Sequence, residues 1–270
     1  MPPRLRQAAL ILCIAPSLAA AQSGGSESEL SRAQVNPIGK LQSVPVELTS
    51  ESGGPALEGQ VKNTLTFKPV VPTDIGGGMM LVIRTEIPFD NVPGKGDSTR
   101  VTGLGDINPQ FYFTRAHPAS VKWGFGPGFS LPTATNESTR TGAWAMGPVA
   151  AAMWQPNKHF SLGAIVTQLW TISEEIDSRP INELTLQPLL HWHLAHAWTL
   201  AATPKMKAEW QKSEHWTVPL GGGLSKVTTF GRQPVSLDAQ FYKYVTHPSS
   251  SGNSELKMTV SFLFPTPSRR

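Results

Sequence analysis

Three histidines lie within six residues of the sequence and could form part of a metal site. The stretch LLHWHLAHAW, residues 189–198, contains His191, His193 and His196. Residues two apart on a β-strand point to the same side, so His191 and His193 could present two imidazoles to one zinc ion. Neutral imidazoles are equally suited to a water-filled interior, and the surrounding elements must decide between the two interpretations.

The first residues have the pattern of a secretory signal peptide. Arg4 and Arg6 precede an apolar run, and the small residues Ala19, Ala20 and Ala21 follow it. We therefore predict that residues 1–21 are a signal peptide and that residues 22–39 form a polar, periplasmic N-terminal segment. Removal of residues 1–21 would also remove Cys13, which is the single cysteine of the chain, so zinc ligands would have to come from other residue types.

Composition argues against two classes of protein. The net charge of +4 is too small to indicate a nucleic-acid-binding protein. No stretch approaches the roughly 18 consecutive apolar residues of a transmembrane helix. Charged residues are only 16% of the chain, whereas soluble domains have about 25%.

Polar and apolar residues alternate along most of the chain, which is typical of β-strands with two different faces. In NELTLQPLLHWHL, for example, Glu183, Thr185 and His191 share one face, and leucine, proline and tryptophan occupy the other. The alternation predicts twelve strands, near residues 40–49, 60–71, 79–89, 103–114, 121–131, 144–154, 160–170, 181–193, 198–210, 216–229, 233–245 and 256–264.

The connections between these strands alternate between long and short, with one weak member at residues 211–215. An even number of antiparallel strands with alternating connections is expected of an outer-membrane β-barrel. A soluble sandwich or lipocalin-like barrel would show the same alternation with its faces reversed.

Three observations favour the membrane barrel over a soluble one. The polar faces often carry small residues rather than charges, as at Gly124 and Gly126. Tryptophans recur near strand ends, where Trp144 and Trp154 are separated by a distance that suits a tilted strand between two aromatic girdles. The last strand, LKMTVSFLF, has one apolar face and ends on an aromatic residue. We therefore predict an all-β, transmembrane, antiparallel up-and-down barrel over residues 40–264, followed by a short tail at 265–270.

Several motifs resemble a known bacterial family in the same order along the chain. They include NPIGKLQSVPVEL, GLGDINPQFYF, GFGPGFSLPTAT, WAMGPVAA, LQPLLHWHL, WTVPLGGGLSKV, GRQPVSL and the closing SFLFP. The sequence is similar to the outer-membrane family labelled for the MetA pathway of phenol degradation, some members of which are called transporters. This resemblance implies an outer-membrane barrel with a role in uptake, and it supplies no catalytic residues.

Inward-facing positions of the predicted strands give a set of candidate lumen-lining residues. They are Lys62, Lys68, Arg84, Glu86, Asp106, Lys122, Glu183, His191, His193, Lys205, Lys207, Glu209, Asp238 and Lys257. Together with Glu47, the charges of this set are nearly balanced, so a strongly ion-selective pore is not indicated. The charges could line an open path, or they could form pairs that hold the barrel shut.

The function that we predict is a channel or transporter for small, possibly aromatic or apolar molecules, acting as a monomer among outer-membrane lipids. We expect no cofactor, no metal at the histidines, no nucleic acid and no catalytic site. The alternatives are a closed structural barrel and, less favoured, a membrane-embedded enzyme.

Short turns of such barrels face the periplasm and long connections face the outside. A tag should therefore react differently with an impermeant reagent in the two kinds of connection. A tag within the long connections near residues 52–59 or 133–142 should react with an impermeant reagent on intact cells. A tag at Asn157 or Arg232 should react only after lysis, and labelling in the opposite pattern would reverse the predicted orientation.

Overall fold

A computed structural model describes most of the chain. The described residues are 26–265 except 55, 56, 58, 95–98, 118, 137, 138, 140, 175–179, 214 and 250, and the side chain of Glu174 is also outside them. The predicted signal peptide and residues 266–270 of the predicted tail lie outside the described residues.

One short helix precedes a sheet of fifteen strand segments. The elements are α1 Glu27–Gln34, β1 Gln42–Ser52, β2 Val61–Phe67, β3 Val70–Gly76, β4 Met79–Val92, β5 Val101–Leu104, β6 Asn108–Arg115, β7 Val121–Ser130, β8 Ala143–Trp154, β9 Phe160–Glu174, β10 Asn182–His193, β11 Trp198–Ala202, β12 Met206–Glu209, β13 Trp216–Phe230, β14 Gln233–Thr246 and β15 Ser254–Phe264.

These segments form the twelve antiparallel strands of a barrel, as predicted, because three of the twelve are each interrupted once. We call each of the twelve barrel strands a stave, whether or not it is interrupted. The interruptions separate β2 from β3, β5 from β6, and β11 from β12. Each stave pairs with the staves before and after it in sequence, and the first pairs with the last, from Gln42 opposite Phe264 to Ser52 opposite Ser254. The sheet is therefore a closed up-and-down barrel, and the predicted fold class is confirmed.

Closure explains why this sequence can be stable in lipid. A bilayer offers no hydrogen-bond partners to the backbone, so a sheet within it must have no free edge. The outer surface matches this environment: along β8, every second residue from Trp144 to Trp154 is exposed, and the residues between them are buried. Exposed tryptophans lie near both ends of the strands, for example Trp170 at one end and Trp192 at the other.

We call the two ends of the barrel the long-loop end and the short-turn end, after their connections. Both the first and the last strand have their outer termini at the short-turn end, since β1 and β15 are antiparallel and twelve staves bring the chain back to that end. The N-terminal helix therefore approaches the barrel at the short-turn end.

Helix α1 begins with a capping box. The Ser26 hydroxyl accepts from the Glu29 backbone N–H at 3.3 Å, and the Glu29 carboxylate accepts from the Ser26 N–H at 2.9 Å. These two bonds satisfy backbone groups that a helix otherwise leaves free at its start. In the part of the chain that the structure describes, no helix has the length and hydropathy needed to cross a bilayer.

The register of β10 gives a test of which face meets lipid. Leu186 lies opposite the exposed Val166, whereas the Thr185 hydroxyl donates to the Glu183 carboxylate at 3.1 Å inside the barrel. We expect Leu186→Arg to lower the free energy of unfolding by about 2–4 kcal/mol, because an arginine there would enter hydrocarbon. Thr185→Arg should cost less, since the interior holds polar groups. Urea unfolding in lipid vesicles measures both, and equal costs or the reverse order would reject this register.

Candidate functional site in the barrel lumen

A local break in one stave brings a lysine into the lumen. Pro204 has no N–H to donate, and residues 203–205 separate β11 from β12. The Thr203 N–H donates instead to the Tyr242 hydroxyl at 2.8 Å and to the Gln240 side-chain oxygen at 3.2 Å. Both of these acceptors are buried inside the barrel, so the backbone at this break is held by inward-facing side chains.

The next residue, Lys205, crosses the lumen. Its Nζ lies 2.8 Å from Oε2 of Glu86. Glu86 is on β4, which is six staves from the β11–β12 stave in either direction around the barrel. The ion pair therefore joins opposite walls.

Further charges extend this contact along the first staves. Lys68, at the break between β2 and β3, lies 3.8 Å from the other carboxylate oxygen of Glu86 and also binds the Glu47 carboxylate. Lys207 pairs with Glu183 on the neighbouring stave, at 3.2 Å. Five of the predicted lumen candidates thus form ion pairs inside the barrel, and four of these five, all except Lys68, line one space.

That space is a chamber of about 280 Å³ towards the long-loop end. Its charged side carries the six candidates Arg84, Glu86, Asp106, Glu183, Lys205 and Lys207. Its apolar side is formed mainly by β9 and the residue that precedes β10, through Ile165, Leu169 and Ile181. The chamber therefore offers both charge and apolar surface to a small molecule.

Asp106 has a structural role at the rim of the chamber. Its carboxylate accepts from the backbone N–H groups of Thr141 at 2.9 Å and Ala134 at 3.1 Å, and from the Thr141 hydroxyl at 2.5 Å. These bonds hold both ends of the connection between β7 and β8 against the barrel.

The remaining charged candidates lie outside the chamber. Lys62 faces Glu51 at 4.0 Å, Glu209 pairs with Lys212, and Lys122 is half-buried near the short-turn end of β7. Asp238 accepts from the Gln240 amide at 2.8 Å, and Lys257 donates to the Thr203 hydroxyl at 2.8 Å. The sequence-based set thus contains one cluster around the chamber and several separate contacts.

Below the chamber, the N-terminal segment occupies the lumen. Leu30 of α1 is buried with Val227 and Leu263. Ile38, just after the helix, is fully buried with Val82 and Tyr112. The short-turn half of the lumen is therefore filled by side chains of the barrel and of this segment.

One of the three histidines, His193, belongs to the network that holds this helix. His193 contacts the Ser161 hydroxyl through Nε2 at 2.8 Å and the Thr199 hydroxyl through Nδ1 at 3.1 Å. Thr199 in turn contacts the Ser31 hydroxyl of α1 at 2.9 Å. Both nitrogens of His193 are thus engaged by hydroxyl groups, and a zinc ion at this ring would have to displace one of them.

The other two histidines have different surroundings. His191 is buried, and its ring stacks on that of His193 with 6.4 Å between the ring centroids. Within the described residues, Nδ1 of His191 has no hydrogen-bond partner. His196 lies in the turn between β10 and β11 with a φ of 56°, and its side chain is exposed. The turn geometry separates His196 from the buried pair.

Helix α1 and the apolar residues of the chamber were not predicted from the sequence. The S-x-x-E spacing of Ser26 and Glu29 is a helix-start signal that could have revealed α1. The apolar residues Ile165 and Leu169 were assigned no role, because they interrupt an otherwise polar face of β9.

Solved structures with the same architecture are outer-membrane barrels. A crystal structure of an outer membrane channel from Pseudomonas putida F1 matches with a TM-score of 0.62 at 11% identity, covering 83% of this chain and 94% of that one. The NanC porin matches with a TM-score of 0.51 at 12% identity, covering 83% of this chain and 100% of that one. At these identities the likeness establishes the outer-membrane barrel fold.

No curated protein matches the sequence. Residues 49–262, however, match the family described as "Putative MetA-pathway of phenol degradation". This match extends from the first strand to the last and includes every residue of the chamber, so the chain belongs to that family of bacterial outer-membrane barrels.

Proposed function

We propose that this protein is an outer-membrane channel for small molecules, with the chamber as its entry site and the N-terminal segment as its plug. The observation that carries this proposal is the division of the lumen into a chamber of about 280 Å³ and a half that is filled by a segment of the chain itself. The similar protein from Pseudomonas putida is described as an outer membrane channel, which supports the same role here.

The chamber favours a channel over a closed structural barrel. A barrel with a purely structural role needs side chains that fill its interior, as in small eight-stranded barrels. Here the side chains of Lys205 and Lys207 remain 39% and 41% exposed, although they lie inside the barrel, so solvent reaches the chamber. A small solute could follow the same route.

The plug is attached through contacts that water can replace. Among the described residues, four hydrogen bonds join the N-terminal segment to the barrel wall: Ser31 to Thr199, Gln34 to Ser236, Gln155 to the Arg32 carbonyl, and Arg84 to the Pro37 carbonyl. Each such bond contributes only about 0.5–1.5 kcal/mol net, because water binds the same groups after separation. Because the segment is covalently joined to β1, it stays close to the barrel when it is displaced and can bind again.

We propose no catalytic role. Ser161 and His193 form a hydroxyl–imidazole contact of the kind that hydrolases use, but the group at the other ring nitrogen is the Thr199 hydroxyl rather than a carboxylate. Ser161 and His193 are both buried beside α1. Their contacts are better explained by attachment of the plug, and we propose that the protein acts as a monomer surrounded by lipid.

A reversible disulfide between the plug and the wall tests this function. The hydroxyl oxygens of Ser31 and Thr199 lie 2.9 Å apart, so sulfur atoms in their places need to approach by only about 0.9 Å to form a disulfide of about 2.05 Å. The double variant Ser31→Cys, Thr199→Cys should therefore lock α1 in place when oxidised. We expect the oxidised variant to lose conductance in planar bilayers and uptake of small solutes into liposomes, and we expect a reductant to restore both.

The single variant Ser31→Cys is the matched control and should be insensitive to the reductant. Equal permeation before and after reduction, with the disulfide confirmed by mass spectrometry, would show that the segment is not the plug. If neither the unaltered protein nor the reduced variant passes any solute, the closed structural barrel is correct.

A further inference from the structure

Arg84 lies at the floor of the chamber, and its guanidinium forms no ion pair with a described carboxylate. It is on β4, opposite Gln110 of β6, and its Nη1 donates to the Pro37 carbonyl of the N-terminal segment at 3.3 Å. A guanidinium has five N–H donors. Among the described residues, the ion pairs within 4.0 Å involve other cations, and none includes Arg84.

Among the described residues, two of the three carboxylates that line the chamber are paired with lysines, and the third, Asp106, accepts hydrogen bonds at the rim. Glu86, two residues away on the same face, is bound by Lys205 at 2.8 Å and by Lys68 at 3.8 Å. Glu183 is bound by Lys207 at 3.2 Å. An anion in the chamber would therefore be attracted by Arg84. Glu86 and Glu183 would repel this anion less than two unpaired carboxylates would.

Three apolar side chains form part of the chamber wall. Ile165 and Leu169 point inward from β9, and Ile181 lies beside them just before β10. A volume of about 280 Å³ is at the lower limit of ordinary ligand pockets, about 300–1,000 Å³, which limits the occupant to a small molecule.

We propose that the chamber binds a small monocarboxylate with a compact apolar body, the carboxylate on Arg84 and the body against Ile165, Leu169 and Ile181. Arg84 presents a planar fork of donors that matches a carboxylate and forms stronger hydrogen bonds with it than with a neutral carbonyl. This inference names the substrate class of the proposed channel and rests on that function for its physiological meaning.

Calorimetric titration of the purified full-length protein with benzoate tests the site directly. Benzamide keeps the ring but removes the charge, and acetate keeps the charge but removes the apolar body. We expect benzoate to bind about tenfold or more tightly than either, because a hydrogen bond to a charged group and burial of an apolar body each contribute more than about 1.4 kcal/mol.

Two arginine variants separate the site from a general charge effect. Arg84→Gln should weaken benzoate binding about tenfold or more, and Arg84→Lys should retain only part of the affinity, because lysine lacks the fork. Arg115→Gln removes the same charge from the exposed end of β6, outside the chamber, and should leave the affinity unchanged.

Equal affinities for benzoate and benzamide, or equal effects of Arg84→Gln and Arg115→Gln, would overturn the proposal. So would the absence of benzoate binding to the unaltered protein, which keeps the test decisive even if Arg84→Gln does not fold. Binding is measured without permeation, so a channel that conducts but does not prefer benzoate refutes this inference alone. Selective binding by a protein that conducts nothing would refute the proposed function alone.

Discussion

The ion pair between Lys205 and Glu86 connects opposite walls of a twelve-stave barrel, and both residues line the chamber. Side chains projecting from regular strands leave the centre of a barrel this wide unfilled, because barrel diameter grows with the number of strands. The interruption at Thr203 and Pro204 changes this locally, since the freed Thr203 N–H is bound by Tyr242 and Gln240 inside the barrel. The proline thus determines where Lys205 is placed, and the electrostatic attraction to Glu86 completes the crossing.

Hydrogen bonding between buried polar groups explains the short-turn half of the lumen. A buried hydroxyl or imidazole is costly unless it has a hydrogen-bond partner. The side chains of Ser161, His193 and Thr199 satisfy one another, and the chain of contacts ends at Ser31 on α1. Gln155 connects Ser161 to the carbonyl of Arg32, so the network reaches the helix from two directions. The position of His193 is therefore explained by attachment of the helix.

The twelve staves could be predicted from the sequence because each buries one face and exposes the other, and a one-residue shift would exchange the two faces. Leu186 and Thr185, for example, are adjacent in sequence and lie on opposite faces of β10. The breaks at residues 68–69 and 203–205 were not predicted, although each contains a proline, because alternation continues through them. Helix α1 was missed because it is a short, mostly polar element that depends on the barrel for its burial. Inward positions for Glu86 and Lys205 were predicted separately, but their contact required the strand order around the closed barrel.

A double-mutant cycle in lipid vesicles is the most direct test of this account. The variants are Glu86→Gln, Lys205→Gln and the combination of both, and the quantity measured is the free energy of unfolding. If the two side chains meet across the lumen, the double variant should be less destabilised than the sum of the single variants, with a coupling energy of about 0.5–3 kcal/mol. Strictly additive effects would show that Glu86 and Lys205 do not interact and would contradict an ion pair across the lumen.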